Sequence, residues 1–457
     1  MSYPPRHDRR RMKIFHRLLL NALVSGVMTS FLWFALTFWI YLETESVLAT
    51  SVIGGAFAIF SAASGVLFGT FVDRHRKWTS MFVASVLTLV AYTIALVLYA
   101  VTSHDSLVSF GSPSFWLLIA LVLFGSVVGN LRSIAMSTAV TLLVPEDRRD
   151  RANGLVGTVF GVSFTITSVL SGLAVGQLGM GWALIFSVAL TLVAVVHLLT
   201  IRFPEPAIER ADDAPHEPMF DFRGALDAIS SVSGLYGLIF FAAFNNLLGG
   251  VFMSLLDAYG LSLMSVEAWG MLFAFISLGF IAGGLVVAKR GLGARPMRVI
   301  LICNAVNWTL CSVFTLQSSI PLLFVGMLVW MSLMPAIEAA EQTVLQQVVP
   351  YETQGRVFGF AQTVESAASP FTALLIGPIA QFGAIPFMTD GRGADVIGGW
   401  FGIGPERGLA LIFTIAGIIG VVATIAAARS GWYRHLSART DRPASDAWPD
   451  QAEQLSS

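Results

Sequence analysis

Four polar side chains form a stripe on an otherwise apolar stretch of this chain. Glu338 and Glu341 lie three positions apart, and Gln342 and Gln346 continue the pattern at spacings of four, so a helix would place them on one face. Two carboxyl groups crowded into a low-dielectric setting are hard to ionise together, so one of them holds a proton near neutral pH. This property suits a proton carrier. The alternative is an acid pair that only holds neighbouring helices together.

Arg132 and Glu365 are two further ionisable side chains within long apolar stretches. Charged groups inside hydrocarbon are costly, and those that occur usually mark ion or substrate pathways. We therefore add both residues to Glu338 and Glu341 as candidate proton-coupling groups. Arg132 could instead bind a substrate anion, or it could form a salt bridge that only fixes helix packing.

Twelve apolar stretches must position these side chains, and together they fill nearly the whole chain. A helix needs roughly 20 mostly apolar residues to cross about 30 Å of hydrocarbon. Continuous runs of this length exclude a barrel, whose strands alternate and are shorter. The stretches are 17–42, 48–72, 78–101, 114–144, 152–177, 181–202, 234–257, 266–288, 296–317, 321–349, 356–382 and 404–428. They predict an all-α membrane protein with twelve transmembrane helices.

The composition fits this class, and the sequence contains no motif typical of an enzyme. Charged residues are 12% of the chain, the mean hydropathy is +0.75 and the net charge is -1. The chain has no phosphate-binding glycine loop ending in Lys-Ser or Lys-Thr, no zinc-type spacing and no nucleophile elbow. We therefore expect no enzyme activity, no cofactor, no metal site and no nucleic-acid partner.

The positive charges predict the orientation. If both termini are cytoplasmic, 24 of the 27 Lys and Arg residues fall on the cytoplasmic side, as is usual for membrane proteins. The opposite orientation would put the same residues outside. We expect a multi-pass protein of a bacterial-type inner (cytoplasmic) membrane, surrounded by lipid, with both termini inside.

The chain also repeats itself. The segment "VPEDRRDRANGLVG" from Val144 recurs as "VPYETQGRVFGFAQ" from Val349, an offset of 205 residues that also pairs Arg151 with Arg356. The predicted segments are a basic cytoplasmic N-terminus at 1–16, an N-terminal six-helix bundle at 17–202, a cytoplasmic linker at 203–233, a C-terminal six-helix bundle at 234–428 and a cytoplasmic tail at 429–457. Such a repeat predicts two pseudo-symmetric bundles, which in transporters rock about a substrate site between them.

The loop after the second stretch, within "GVLFGTFVDRHRKW", carries the most specific motif. Its Gly69, Asp73, Arg74 and Lys77 resemble the motif of the major facilitator superfamily: Gly, three residues, Asp-Arg, one residue, Gly and basic residues. Arg76 stands where the second Gly is usual, and the matching loop of the second half, "GGLVVAKRGLGAR", has lost its acid. The resemblance covers all twelve stretches. The two repeated segments are similar to the exporter branch of macrolide efflux proteins and enterobactin exporters.

The resemblance implies a central cavity lined by the first, fourth, seventh and tenth helices. Arg132 would then face Glu338 or Glu341, whose depth in the membrane it shares by the repeat offset. Trp33 could stack on an amphipathic substrate. The predicted cavity residues are Asn21, Ser25, Trp33, Asn246, Met253, Asp257 and Gln342. The alternative for the polar ones is helix packing.

The resemblance also implies a gate on the cytoplasmic side. There the acid of the motif, Asp73, meets the start of the eleventh helix, whose N-terminus carries partial positive charge. The predicted gate residues are Gly69, Asp73, Arg74, Lys77, Arg151 and Arg356. The alternative is that Asp73 only anchors its loop.

We expect a monomeric secondary active transporter that exports an amphipathic small molecule, such as a drug or siderophore, in exchange for protons. The word "exports" comes from the branch resemblance, because the residues alone do not set the direction. The alternatives are an uptake permease for a polar metabolite and a non-transporting membrane sensor or assembly protein. The sequence shows no soluble signalling domain, which argues against the last.

Overall fold

The computed structural model describes residues 5–44, 47–202, 205 and 221–441, and this part of the chain is helical, with no strand. Twelve long helices dominate it: α1 (Pro5–Thr44), α2 (Val47–Arg74), α3 (Lys77–Val101), α4 (Pro113–Leu143), α5 (Arg149–Leu173), α6 (Met180–Leu199), α7 (Leu235–Leu263), α8 (Val266–Arg290), α9 (Pro296–Val313), α10 (Ile320–Val348), α11 (Gln354–Ile379) and α12 (Pro405–Arg429). Each follows the predicted stretch of the same number. The prediction of a twelve-helix membrane fold is confirmed.

Eleven helices in the described part are long and apolar enough to cross a membrane by length and composition. The remaining long helix is α5, which is richer in Gly, Ser and Thr than its neighbours. Its pseudo-symmetry with α11 is visible in the backbone, because both helices end in a π-helical turn, at Ala174–Leu178 and Ala380–Ala384. Short helices occupy the connections: His104–Val108, Phe222–Ser230 in the linker, Ile385–Thr389 and Arg392–Phe401. A further short helix, Gly431–Thr440, follows α12.

The chain forms two compact units. The first contains Met1–Val144, Val159–Ala228 and Tyr351–Ala367, and the second contains Pro145–Thr158, Ile229–Pro350 and Ala368–Ser457. The first turns of α11 therefore belong to the first unit and the first turns of α5 to the second. The six-plus-six division of the sequence stays a prediction.

Each unit has its own apolar core, rich in aromatic rings. In the first, Tyr92 is fully buried and its ring lies against Gly125 of α4. In the second, the rings of Phe252 and Phe413 stack with centroids 4.8 Å apart, and Tyr259 packs edge-on against Phe413 at 5.8 Å. Lipid tails are as apolar as these side chains, so close packing and small residues hold such helices together more than the hydrophobic effect does.

Candidate functional site

The carboxylate of Asp73 in the last turn of α2 binds the first residues of α11. Its Oδ1 accepts a hydrogen bond from the backbone N–H of Gly355 at 2.6 Å. Its Oδ2 accepts from the backbone N–H of Arg356 at 2.9 Å and from Arg356 Nε at 3.1 Å. The first N–H groups of a helix lack partners within the helix and carry partial positive charge. An ionised carboxylate that is only 2% exposed is thus held by three charge-assisted bonds.

Glycines let the two helix backbones come this close. Gly65 and Gly69 lie one turn apart on α2, and Gly355 and Gly359 lie one turn apart on α11. A Cβ on Gly69 would stand 2.8 Å from the carbonyl carbon of Gly355, and one on Gly359 would stand 3.0 Å from the Cα of Gly69. The pairs face each other as two small-xxx-small motifs, the pattern that brings membrane helices into backbone contact. We call this crossing, with Asp73, the α2–α11 contact.

Basic residues surround the same C-terminal end of α2. Lys77 is buried and its Nζ donates to the carbonyl of Val72 at 2.9 Å. It also lies over the ring of Tyr351, 4.8 Å from the centroid. Arg74 occupies the last turn of the same helix. Cations at a helix C-terminus interact favourably with its partial negative charge, so both predicted motif residues stabilise the end of α2 that carries Asp73.

Arg356 binds a second carboxylate that the sequence reasoning missed. Its Nη1 donates to Asp221 Oδ2 at 2.7 Å, while Nε holds Asp73. The guanidinium is 14% exposed and Asp221 is 12% exposed. Asp221 directly precedes the short helix Phe222–Ser230, and an acid in that position is a helix-start signal. The sequence could therefore predict a capping residue here, but not its partner.

The α5 and α8 helices form the corresponding crossing in the second unit. A Cβ on Gly154 of α5 would stand 2.7 Å from the backbone nitrogen of Ala288, and one on Gly284 of α8 would stand 2.9 Å from the backbone nitrogen of Thr158. When Gly284 of α8 is aligned with Gly69 of α2, Ala288 lies where α2 has Asp73. The second half therefore has no acid on α8 at the position where α2 has Asp73.

An acid from α5 contacts the same loop instead. Asp150 Oδ2 accepts a hydrogen bond from the backbone N–H of Leu292 at 2.7 Å. The predicted gate residue beside it, Arg151, is exposed, and its backbone N–H donates to Asp150 Oδ1 at 2.7 Å. One turn on, Asn153 donates to Gln346 Oε1 of α10 at 3.0 Å and accepts from its Nε2 at 3.3 Å. The sequence reasoning missed Asp150 and Asn153, although the missing acid of the α8–α9 loop was a signal to search the facing helix. We call this set the α5–α8 contact.

Arg132 of α4 lies in a cluster of neutral polar groups. Its Nη1 donates to Ser85 Oγ at 2.8 Å, and its Nη2 donates to Asn21 Oδ1. Asn21 is 0% exposed, donates to the carbonyl of Ala194 at 2.8 Å and contacts His197 Nδ1 at 3.1 Å. Within the described part of the first unit no carboxylate forms an ion pair with Arg132. A guanidinium paired only with neutral groups in a membrane helix is costly.

A small cavity of about 20 Å³ adjoins this cluster. Its lining includes Ser25, Thr29, Ser85, Thr88, Gly129, Arg132 and Thr191. The volume is enough for about one water molecule, and the hydroxyl groups could bond it. The structure thus brings three of the predicted residues together: Arg132, Asn21 and Ser25.

The polar stripe of α10 is split between two surroundings. Glu338 is the only exposed residue in the described stretch 326–349, while Glu341 and Gln342 are half-buried. Gln346 is buried and bonded to Asn153, so it belongs to helix packing. Glu338 is thus an acid at the protein surface with a second acid, Glu341, one turn away on the same helix.

The other predicted cavity residues have varied surroundings. The ring of Trp33 stacks on Phe57 with centroids 4.5 Å apart, so one of its faces is already occupied. Met253 is 67% exposed, and the exposed Asp257 accepts a hydrogen bond from Trp269 Nε1 at 3.0 Å. Asn246 on α7 and Glu365 on α11 are half-buried.

Comparison with known proteins gives one family. A sequence model of the Major Facilitator Superfamily matches residues 18–373. The Enterobactin exporter EntS of Shigella boydii serotype 18 is 23% identical over 378 residues, covering 79% of this chain and 84% of that protein. Macrolide efflux protein A of Streptococcus pyogenes is 21% identical over 387 residues, covering 79% of this chain and 88% of that protein.

Solved structures share the fold. A bacterial homologue of the iron transporter ferroportin, crystallised in an outward-facing state, has a TM-score of 0.68 at 14% identity, covering 91% of this chain and 100% of that chain. The proton:xylose symporter XylE bound to 6-bromo-6-deoxy-D-glucose has a TM-score of 0.63 at 11% identity, covering 91% of this chain and 95% of that chain. At such identities the likeness concerns the fold alone.

Proposed function

This chain belongs to the major facilitator superfamily, whose members are membrane transporters and not enzymes, and we propose that it exports an amphipathic small molecule in exchange for protons. The direction is supported by its relatives, which are named as exporters of enterobactin and of macrolides. Their identity of 21–23% does not define a substrate. Drugs and siderophores are therefore the substrate classes to test first.

The observation that carries the mechanism is the α2–α11 contact. The carboxylate of Asp73 is almost fully withdrawn from water, yet its three partners are N–H groups of another helix. Water can replace those partners when the helices separate, so the bonds differ in free energy between a closed and an open state. A contact biases a conformational equilibrium only through such a difference. We propose that this contact closes the predicted cytoplasmic side and that its opening gives access to the substrate site.

Glu338 and Glu341 are the proposed proton carriers. Glu338 is exposed at the protein surface in the middle of an otherwise covered stretch of α10, and Glu341 follows it one turn later on the same face. Arg132, which has only neutral partners within the first unit, is the proposed site for a negative charge. That charge is either a deprotonated acid of α10 or an anionic group of the substrate. Competition between the two for Arg132 would couple substrate release to proton uptake.

Transport in everted membrane vesicles tests the function. The cytoplasmic face of such vesicles is outside, so an exporter coupled to protons should accumulate substrate in an acidified lumen. Candidate drugs and siderophores should be supplied outside, with collapse of the pH gradient as the control. Accumulation only in right-side-out vesicles would show the uptake permease instead. Transport of no compound under either gradient would contradict the proposed substrate class.

We also propose a bacterial cytoplasmic membrane with both termini inside. Ser103 and Ser231 are exposed and lie on opposite predicted sides. A cysteine at Ser103 should react with an impermeant thiol reagent in intact cells, and one at Ser231 should react only after lysis. The reverse pattern would show that the orientation is wrong.

A further inference from the structure

The linker between α6 and α7 supplies carboxylates to two helix N-termini. Glu205 accepts hydrogen bonds from the backbone N–H groups of Lys77 at 2.5 Å and Trp78 at 2.8 Å, where α3 begins. Asp221 accepts from Arg356 Nη1 at 2.7 Å, where α11 begins. Anions are favoured at both places because helix N-termini carry partial positive charge. The linker is therefore tied to α3 and α11 at two points.

The second tie is a docked helix rather than a single bond. Asp221 Oδ1 accepts from the backbone N–H of Gly224 at 2.8 Å, so the same side chain starts the linker helix Phe222–Ser230. A Cβ on Gly224 would stand 2.6 Å from Arg356 Nη1, which means that the linker backbone itself lies on the guanidinium. The ring of Phe222 meets that of Phe360 on α11, with centroids 5.7 Å apart.

One guanidinium thus joins two carboxylates through different nitrogen atoms. Nε faces Asp73 and Nη1 faces Asp221. Fixing an arginine side chain costs rotamer entropy, and a planar guanidinium that is bonded at one nitrogen is held in place at its other nitrogens as well. The bond to Asp221 therefore lowers the entropic cost of the bond to Asp73.

We propose that Asp221 is a positioning residue of the gate, which makes the linker helix a latch on the α2–α11 contact. This inference rests on the proposed function, in which that contact closes the predicted cytoplasmic side. Opening then requires loss of the bond between Arg356 and Asp73, and release of Asp221 from Arg356 makes that loss easier. The strength of the latch sets the ratio of closed to open molecules.

The test measures the distance between α2 and α11 directly. Spin labels at Arg76→Cys and Glu352→Cys, both exposed positions, report the contact in a chain whose Cys303 and Cys311 are replaced by Ala. Asp221→Asn removes the charge that faces Arg356 but keeps an oxygen for the cap of the linker helix.

Asp221→Asn should shift the ratio of short to long distances toward long ones by about three- to tenfold. Asp227→Asn is the matched control, since it removes the same charge from an exposed position on the same helix, and it should change the ratio less than Asp221→Asn does. If Asp221→Asn does not fold, Asp221→Ser keeps a capping hydroxyl and gives the same test. A distribution equal to that of the control overturns the inference.

Two further variants separate the possible failures. In an Arg356→Gln background, Asp221→Asn should have no additional effect, whereas a role confined to capping the linker helix would act in both backgrounds. Asp73→Asn should lengthen the distance by itself. If it does and Asp221→Asn does not, the latch is wrong and the gate stands. If neither does, the proposed gate is wrong as well.

Discussion

Replacing Asp73 by Asn should lower the ratio of closed to open molecules at the α2–α11 contact, and the size of the change follows from the hydrogen bonds that are lost. The amide keeps one acceptor oxygen, which can serve the N–H of Gly355. It puts an N–H₂ group where Oδ2 accepts from the backbone N–H and the Nε of Arg356. Two charge-assisted bonds are lost, at about 1.5 kcal/mol each once water in the open state is counted. The total of about 3 kcal/mol corresponds to roughly a 150-fold change in the closed-to-open ratio.

The assay is the distance distribution between labels at the ends of α2 and α11, with transport measured on the same protein. Asp73→Asn should move most molecules to the long distance and should slow transport, because a state that is rarely closed cannot complete the cycle. Asp105→Asn, at an exposed position in the loop between α3 and α4, should leave both unchanged. An unaltered distribution for Asp73→Asn, with mobile labels and folded protein, would refute the reasoning.

Three other predictions follow from the described contacts. Asp150→Ala removes the single bond to Leu292 and should open the α5–α8 contact by only about fivefold, equal to about 1 kcal/mol; an effect as large as that of Asp73→Asn would contradict the ranking. Glu338→Gln should abolish gradient-driven transport in a folded protein, and unchanged pH dependence of its transport would remove it as a proton carrier. Burial raises the pKa of Glu205 above the ordinary 4.5, so its contribution to stability is full below that value and declines as pH rises through the raised pKa. The melting temperature of the wild type minus that of Glu205→Gln should therefore increase as pH falls from neutral toward 4.5. A difference that stays constant with pH would contradict this prediction.

The helices and their order could be predicted from the sequence because the bilayer fixes the length of each apolar run. Only α1 departs strongly, since it begins at Pro5, well before the predicted start at residue 17. Its first turns carry basic residues that a hydropathy criterion excludes but a helix readily accepts. The contact of Asp73 with the start of α11 was also within reach, because the motif supplies an acid and a helix start supplies N–H groups.

The partners of a side chain could not be predicted from the sequence where they depend on tertiary geometry. The sequence marks Arg132 as a charge in a membrane helix but cannot show that Asn21 and Ser85 bind it. It places Asp221 before a helix but cannot show that the same carboxylate meets Arg356. Nor does it show that Trp33 stacks on a ring from the next helix, since rings at helix crossings carry no periodic signal. Spacing along one helix is readable, whereas the choice between facing helices is set by packing.

The two crossings are alike in backbone geometry and unlike in chemistry. In one, the ionised Asp73 is bound by three donors and a second acid, Asp221, shares its arginine. In the other, Asp150 makes one bond to the α8–α9 loop, Asn153 and Gln346 form a neutral amide pair, and Arg149 donates to the carbonyl of Gln346 at 3.1 Å. Neutral bonds are roughly half as strong as charge-assisted ones, and they do not change when a nearby charge moves. We therefore expect the α5–α8 contact to respond less to a nearby charge than the α2–α11 contact does. Under the proposed gate, the α2–α11 contact with its linker latch would set the balance between closed and open states, and α8 would not need the acid that α2 retains.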